Sequence, residues 1–200
     1  MHYNCKYIQI VKNKTRTNTQ MKKLLLLFVC AILSLSVEAA DKQSIRINTD
    51  YIDLILQVSP KNRLYQVYLG EKLNSTADFN HFNWNIYAGS DGSYSMRGHE
   101  VYPGSGGEDM FEPTVAITHA DGNQTTYLYY QNSTQKAVPG GTETIIQLAD
   151  DKYAVQVTLH YVAYSKENVI KTWSEIKHNE KSPITLWRYA SGMFYFNSSK

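Results

Sequence analysis

Apolar and polar residues alternate along most of the chain from Ser44 onward. A period of two puts successive side chains on opposite faces of a strand, whereas an amphipathic helix repeats every 3.6 residues. Residues 51–58 and 63–69 have this period and lie on either side of a polar turn that contains Pro60. The pattern therefore predicts two strands at the beginning of the domain.

The strongest hairpin signal lies between residues 114 and 131. Two alternating runs flank Asp121-Gly122, and an Asp-Gly pair is typical of the tight turn of a hairpin. Further strands are predicted at 142–148, 153–164, 168–177 and 184–190. In the run 153–164, alternation predicts one face against a core. That face carries Val155, Val157, Leu159, Tyr161 and Ala163.

No amphipathic helix, repeat or low-complexity tract interrupts this series of strands. Many short strands separated by turns are typical of a sandwich or a barrel. Without the N-terminal segment discussed below, about 160 residues remain, which is the size of one ordinary domain. The sequence predicts an all-β, antiparallel β-sandwich with a single domain.

Two segments depart from the strand pattern. The stretch from 71 to 107 is rich in Gly, Ser and Asn and contains Trp84. Long irregular connections in compact domains are usually functional or disordered, and the aromatic residues around this tryptophan argue against disorder. Residues 192–196 form an apolar, strand-like run close to the end of the sequence. We interpret that run as a sign that the domain is truncated at its C-terminus.

The N-terminal 40 residues have the order of a secretory signal peptide. Met21 is followed by two lysines, then by an apolar run at 24–37 and by small residues at Ala39 and Ala40. The run is shorter than the roughly 20 apolar residues that a transmembrane helix needs. We predict a mispredicted extension at 1–20, a signal peptide at 21–40 and a mature domain at 41–200 that is exported to the periplasm or secreted.

Removal of this leader changes the charge of the protein. Residues 41–200 contain 14 basic and 17 acidic residues, a net charge of −3 against +2 for the whole chain. The basic character belongs to the leader, so it does not argue for nucleic acid as a partner. Both cysteines, Cys5 and Cys30, also lie in the leader. The mature domain is therefore expected to have no internal disulfide, no membrane span and no nucleic-acid partner.

The sequence contains no complete catalytic motif. We find no Gly-x-Ser-x-Gly elbow, no phosphate-binding glycine loop and no His-x-x-x-His pair. The scattered histidines predict no metal site, and no cofactor is expected. Acidic residues cluster at Asp150-Asp151, most simply a turn, and at Glu108-Asp109 near Glu112. The second cluster is either a glycosidase-like pair, whose carboxyl groups lie about 5–10 Å apart, or a structural turn, which the flanking glycines favour.

One segment resembles a known family. Residues 101–115 read VYPGSGGEDMFEPTV. This order of Tyr-Pro, glycine-rich turn, Asp, aromatic residue and Pro resembles a segment of glycoside hydrolase family 36, which consists mainly of α-galactosidases. The resemblance to the family's N-terminal domain extends from Tyr51 to about Phe196. The family often has an Arg two residues after the Asp, where this chain has Phe111, so a polar role there does not carry over.

The resemblance implies a fold and a separation between an accessory domain and a catalytic domain. Family 36 enzymes have an N-terminal β-supersandwich followed by a (β/α)8 barrel that holds two catalytic aspartates. Such a barrel takes roughly 200–250 residues, and the sequence has no counterpart to it. The chain then corresponds to an accessory domain without catalytic residues. Its implied partners are a catalytic barrel domain and an α-galactoside or related oligosaccharide.

The resemblance also implies where this domain meets the substrate. In related enzymes a loop of the sandwich domain reaches the rim of the active site of its own or a neighbouring subunit, and residues 71–107 are the expected loop. Trp84 is a candidate for stacking on a sugar, or alternatively a packing aromatic. Asp78 is a candidate acceptor of sugar hydroxyl hydrogen bonds, or alternatively an ordinary loop residue. Gly107, Asp109 and Pro113 are expected to form the structural turn of the family motif.

Three functions remain open on the sequence alone. The first is the accessory domain of an α-galactosidase-like glycoside hydrolase, which the order of the family segments favours. The second is a free-standing carbohydrate-binding module, which needs an aromatic platform but no partner domain. The third is a surface β-sandwich without sugar affinity.

Overall fold

The computed structural model describes residues 43–82, 99–106 and 112–196, so the predicted leader lies outside the described residues. The described residues contain ten strands and one short 3-10 helix, η1 (Thr76–His81). The strands are β1 (Ser44–Asn48), β2 (Ile52–Val58), β3 (Leu64–Glu71), β4 (His99–Glu100), β5 (Val115–Thr118), β6 (Leu128–Val138), β7 (Gly141–Asp150), β8 (Val155–Tyr164), β9 (Val169–His178) and β10 (Thr185–Tyr189). In this part of the chain, we find no helix with the length and hydropathy that a membrane crossing requires.

The first sheet has the strand order β1-β2-β3-β4, and every pair is antiparallel. The predicted strands at 51–58 and 63–69 correspond to β2 and β3. The turn between them is closed by the Asn62 N–H, which donates to the carbonyl oxygen of Ser59 at 2.8 Å. Asn62 has a φ of 55°, a left-handed conformation that asparagine tolerates better than most residues. The polar turn therefore sets the β2–β3 pairing.

The second sheet consists of β6, β7, β8 and β9 in sequence order, joined as successive antiparallel hairpins. The predicted strands at 142–148, 153–164 and 168–177 correspond to β7, β8 and β9. β6 continues to Val138, beyond residue 131 where the sequence pattern ended it. Residues 132–136 of this extension are all polar, so the alternation of apolar residues gave no signal there.

The predicted hairpin between residues 114 and 131 is wrong, although its turn is present. Gly122 has a φ of 84°, and its N–H donates to the carbonyl oxygen of His119 at 2.9 Å. The flanking strands do not pair with each other, because β5 pairs with β10 and β6 pairs with β7. The Asp150 carboxylate accepts the Tyr127 N–H at 2.7 Å, directly before β6 begins. Contacts distant in sequence thus decide the pairing, while the Asp-Gly pair specifies only the local turn.

One hydrophobic core is shared by the three sheets. The first sheet, the small β5–β10 sheet and the second sheet all bury apolar side chains in it, which makes the domain an antiparallel all-β sandwich, as predicted. Its most deeply buried members include Ile47, Leu54, Leu56, Val115, Ile117, Leu128, Ile146 and Leu159.

β8 shows the predicted alternation. The five apolar residues Val155, Val157, Leu159, Tyr161 and Ala163 are each at most 2% exposed. The opposite face is more buried than its polar sequence suggests, because His160 and Val162 are also buried. The core-facing side was therefore predicted correctly, and the buried histidine was not anticipated.

The apolar run at 192–196 is not a strand, contrary to the prediction. Its backbone is instead held by a side chain of the first sheet. Gln66 Nε2 donates to the carbonyl oxygen of Tyr195 at 2.6 Å, and the Tyr195 N–H donates to Gln66 Oε1 at 3.2 Å. The backbone of Gln66 already pairs with His99 of β4, so its amide side chain takes the place of a neighbouring strand.

Candidate functional site at the β3–β4 connection

The connection between β3 and β4, residues 72–98, is the expected position of the substrate-facing loop. Its first part is held to β2 by charge. The Arg46 guanidinium donates two hydrogen bonds to the Asp53 carboxylate, at 2.8 and 2.7 Å, and the hydrogen bond to Asp53 raises the pKa of Arg46. Asp53 also accepts the Leu73 N–H at 2.7 Å, and Arg46 donates to the Leu73 carbonyl oxygen at 3.0 Å. The side chains of Arg46 and Asp53 thus fix the backbone of Leu73, just after β3.

Helix η1 follows, with Asp78 in its first turn and the Ser75 hydroxyl as its N-cap. Phe79 is buried, and its carbonyl oxygen accepts a hydrogen bond of 2.9 Å from Gln57 Nε2. The Arg46 guanidinium lies 5.6 Å from the centre of the Phe79 ring. Helix η1 is therefore packed against the first sheet. Asp78, in its first turn, is half-buried.

Of the two substrate-binding candidates, the structure describes Asp78, and Trp84 lies outside the described residues. The last described residue before the gap, Phe82, stacks on Tyr68 with ring centres 5.1 Å apart. The roles of Trp84 and Asp78 in sugar binding stay predictions. What the structure describes is the framework from which the connection leaves the sheet.

The far end of the connection is anchored by a buried ion pair. Arg63 lies 2.6 Å from Glu100 of β4, and both side chains are largely buried. Burial lowers the pKa of Arg63, but the neighbouring Glu100 carboxylate outweighs it, so the pKa is raised. The Arg63 guanidinium also lies 5.4 Å from the ring centres of Tyr127 and Tyr129. A charge pair of this kind holds β4 firmly, because removing one partner leaves the other unpaired.

Tyr195 completes this anchor. Its ring stacks on His99 with ring centres 4.2 Å apart and an angle of 5° between the planes. Its hydroxyl group donates to the carbonyl oxygen of Glu100 at 3.0 Å. The sequence pattern gives no signal for Arg63, Glu100 or Tyr195 as anchors, because these hydrogen bonds join residues 37 and 95 positions apart in the chain.

The family motif follows directly after β4. Tyr102 is 1% exposed, and its hydroxyl group donates to the carbonyl oxygen of Ala190 at 2.9 Å. The carbonyl oxygen of Pro103 accepts the Thr114 N–H at 2.8 Å, which joins the beginning and the end of the motif. Pro113 is half-buried immediately before Thr114. Gly107 and Asp109 lie outside the described residues, so the predicted turn role of these residues stays a prediction.

Gly104 explains part of the glycine content of this motif. A Cβ atom at Gly104 would overlap the carbonyl oxygen of Thr126. Gly106 has a φ of 76°, a left-handed conformation that favours glycine. Thr126 in turn donates its N–H to the Ser105 carbonyl oxygen at 2.9 Å. The glycines thus allow the motif to lie against the segment before β6.

Three carboxylates among the described residues are engaged in structural contacts. Glu143 accepts from His160, Glu180 accepts from the Ala120 N–H, and Asp121 accepts from the Asn123 N–H. The pKa of each of these three carboxyl groups is lowered, at Glu180 against the opposing effect of burial. A general acid needs a raised pKa. Within the described ranges, no cluster of His, Cys, Asp and Glu is arranged to hold a metal ion.

Exposed aromatic side chains on β10 are a feature that sequence analysis missed. Trp187 and Tyr189 are each 70% exposed, in a strand whose five residues are all exposed. The sequence pattern treated residues 184–190 as an ordinary strand. Only the pairing of β10 with β5 shows that these rings face outward at the edge of the small sheet.

Residues 62–200 match the family model described as the glycosyl hydrolase family 36 N-terminal domain. A search of curated protein sequences finds no match. Among solved structures, the fold resembles the GH36 α-galactosidase AgaA from Geobacillus stearothermophilus, with 20% identity and a TM-score of 0.63 over 75% of this chain and 24% of that one.

Two further solved structures are similar. The α-galactosidase from Lactobacillus brevis has 16% identity and a TM-score of 0.61, covering 76% of this chain and 24% of that chain. The galactosidase domain of the α-galactosidase-sucrose kinase AgaSK has 21% identity and a TM-score of 0.61, with the same coverage. The chain thus spans about a quarter of the length of the solved structures it matches, and the likeness establishes the fold. Because the family model matches well over half of its residues, the chain belongs to glycosyl hydrolase family 36, and the matched part is the N-terminal domain of that family.

Proposed function

We propose that this domain is the accessory domain of an α-galactosidase-like glycoside hydrolase and carries no catalytic residue itself. The match of residues 62–200 to the family's N-terminal domain is the observation that supports this most strongly. The catalytic partner is a barrel domain of the family, and the substrate is an α-galactoside or related oligosaccharide. Solved structures of AgaA variants contain raffinose and stachyose, which supports this class of substrate.

The accessory role is to position the β3–β4 connection at the edge of an active site. Its two ends are rigidly held, by Arg46 and Asp53 at one end and by Arg63, Glu100 and Tyr195 at the other. A rigid base is what a substrate-facing loop needs, because loosely held contacts contribute little to orientation. On this proposal Trp84 stacks on a sugar ring and Asp78 accepts hydrogen bonds from sugar hydroxyl groups.

The test is hydrolysis of a nitrophenyl α-galactoside by the purified chain. We expect no release of nitrophenol, because a retaining mechanism needs a nucleophilic carboxylate and an acid/base carboxyl about 5 Å apart across a substrate cleft. The Asp109→Asn variant is the matched control. Turnover by the chain that disappears in this variant would overturn the accessory role and make the Glu108-Asp109 segment a catalytic site.

A second candidate is a free-standing carbohydrate-binding module. The exposed aromatic residues of β10 favour it, since such modules present aromatic rings to sugars. The two proposals differ in one measurable property. The Trp84 and Asp78 contacts of an accessory domain contribute to sugar binding only beside the catalytic barrel, whereas a module uses its whole binding surface without any partner domain.

A further inference from the structure

We propose that Trp187 and the groove beside it bind one pyranose ring of a galactoside on the β5–β10 sheet. This site is different from the predicted contacts of Trp84 and Asp78. The identity of the sugar rests on the proposed function, whereas the existence of the site rests on the geometry of Trp187 and its neighbours.

Trp187 offers an aromatic face to solvent, since it is 70% exposed. Trp173 provides the contrast within the described residues. Its ring stacks on His160 with ring centres 4.5 Å apart and an angle of 5°, and Lys171 Nζ lies 5.2 Å from its ring centre. Trp173 is therefore occupied by internal contacts, and Trp187 has a surface available for a ligand.

The indole of Trp187 is oriented before any ligand arrives. Its Nε1–H donates to Thr118 Oγ1 at 2.7 Å, which ties the ring to the neighbouring strand β5. The register of β10 shifts between Leu186 and Arg188, so Trp187 stands at a bulge. Bulges re-aim side chains, and a ring that is already ordered loses less entropy on binding.

A groove of about 250 Å³ lies next to this ring. Its volume is slightly below the roughly 300 Å³ at which pockets for drug-sized ligands begin, so it suits a single sugar ring. The lining combines an apolar floor with polar side chains that can exchange hydrogen bonds with hydroxyl groups. The lining residues are Ser105, Ala116, Ile117, Gln124 and Trp187.

An ion pair at the β5–β10 sheet lies outside the lining of this groove. Arg188 pairs across the sheet with Ala116, which lines the groove, and lies 2.7 Å from Glu112 in an exposed ion pair. Guanidinium and carboxylate groups are strong hydrogen-bond partners for hydroxyl groups. In the groove itself, Ser105 and Gln124 supply the hydrogen-bonding groups and Trp187 supplies the stacking surface.

The chemistry of the groove matches a galactoside. A galactose ring has one face of C–H groups, which packs on an aromatic ring, and a rim of hydroxyl groups, which needs hydrogen-bond partners. The larger groove between β1 and β6, of about 440 Å³, lacks an aromatic side chain. It is lined by Gln43, Ser44, Ile45, Arg46, Ser133, Thr134 and Gln135. Of these two grooves, only the one beside Trp187 offers a stacking surface.

The experiment is a titration of the purified chain with raffinose, followed by the NMR signals of the tryptophan indole N–H groups. We expect the Trp187 signal to shift, with a dissociation constant on the order of millimolar, because a single stacking residue binds weakly. Trp187→Ala should weaken binding about tenfold or more, which corresponds to one lost aromatic contact. Trp187→Phe should retain part of the affinity, and Trp173→Ala should leave it unchanged.

Several outcomes would overturn the site. These are the absence of a Trp187 indole shift with raffinose and equal binding by the Trp187→Ala variant. Equal binding of the glucose-only sugar maltotriose would instead overturn the galactoside as the occupant of the site. A self-association that depends on Trp187 and is unaffected by raffinose would assign the surface to a second copy of the chain instead. Failure of this titration leaves the accessory role standing, because that role is tested by nitrophenol release.

Discussion

At the scale of single residues, His160 shows how a polar side chain is accommodated on the outer face of a sheet. It is buried although β8 places it opposite the core-facing residues. Its Nδ1 lies 2.8 Å from Glu143 Oε1, and its ring stacks on Trp173. Lys136 lies 3.0 Å from the same carboxylate. Four side chains from four strands therefore form one cluster, which holds the strands of the second sheet in register.

Glu143 gives this cluster a pH dependence. The hydrogen bond with His160, followed by that with Lys136, lowers the pKa of the Glu143 carboxyl below its usual 4.5. A carboxyl whose pKa is lower in the folded state stabilises the fold above its unfolded pKa, and this contribution disappears as the pH falls through the folded pKa. We expect Glu143→Gln to lower the free energy of unfolding at pH 7 by about 1 kcal/mol, and the difference from the wild type to shrink below pH 4.5.

Urea unfolding at a series of pH values measures this difference. Glu167→Gln is the matched control, because Glu167 is an exposed residue of the β8–β9 turn. Its substitution should change the stability by less than about 0.5 kcal/mol at any pH. A difference for Glu143→Gln that stays constant from pH 7 to about pH 3 would contradict the ion-pair explanation.

At the scale of elements, β8 is the strand that the sequence pattern predicted best. Its apolar face lies against the core along the whole strand, opposite residues of β7 and β9 that also point inward. A fully buried strand face makes each of its side chains sensitive to truncation. The centre of this face is Leu159, which is 1% exposed and pairs with Ile146 of β7.

We expect Leu159→Ala to lower the free energy of unfolding by about 2–5 kcal/mol, because it removes buried methyl groups and leaves a cavity. Thr158→Ala, on the opposite and partly exposed face, is the control and should cost less than about 1 kcal/mol. Chemical denaturation of the three proteins measures both values. A loss below about 0.5 kcal/mol for Leu159→Ala would mean that this face of β8 is not packed.

At the scale of the whole molecule, the described residues form one sandwich with a single hydrophobic core. Its fold is that of the N-terminal domain of glycosyl hydrolase family 36. We propose that the protein is exported, as the leader pattern of residues 21–40 indicates.

Export predicts a specific N-terminus. We expect mass spectrometry of the exported protein to find a chain that begins near Asp41. The reason is that a signal peptidase that cleaves after Ala39-Ala40 removes all residues before Asp41. Replacement of the apolar run by a polar sequence of equal length is the control and should abolish export. An exported product that retains Met1 or Met21 would contradict this prediction.

The alternation of apolar residues determined the fold class, because a period of two requires strands with one face against a core. It located β2, β3, β7, β8, β9 and β10, and the core-facing residues of β8. The segment from Val101 to Val115 indicated the family, which the match of residues 62–200 confirms. These properties depend on neighbours within a few residues, so a single sequence contains them.

Which strands pair with each other was decided only by the tertiary structure. The Asp-Gly turn at Gly122 is local, but β5 pairs with β10 almost 70 residues further along the chain. The anchors of the β3–β4 connection and the exposure of Trp187 also depend on contacts between residues that are distant in the sequence. A residue's own sequence neighbourhood contains no information about a partner that distant. Which strands meet depends on the packing of the whole core, so only the folded domain reveals the framework of the candidate site.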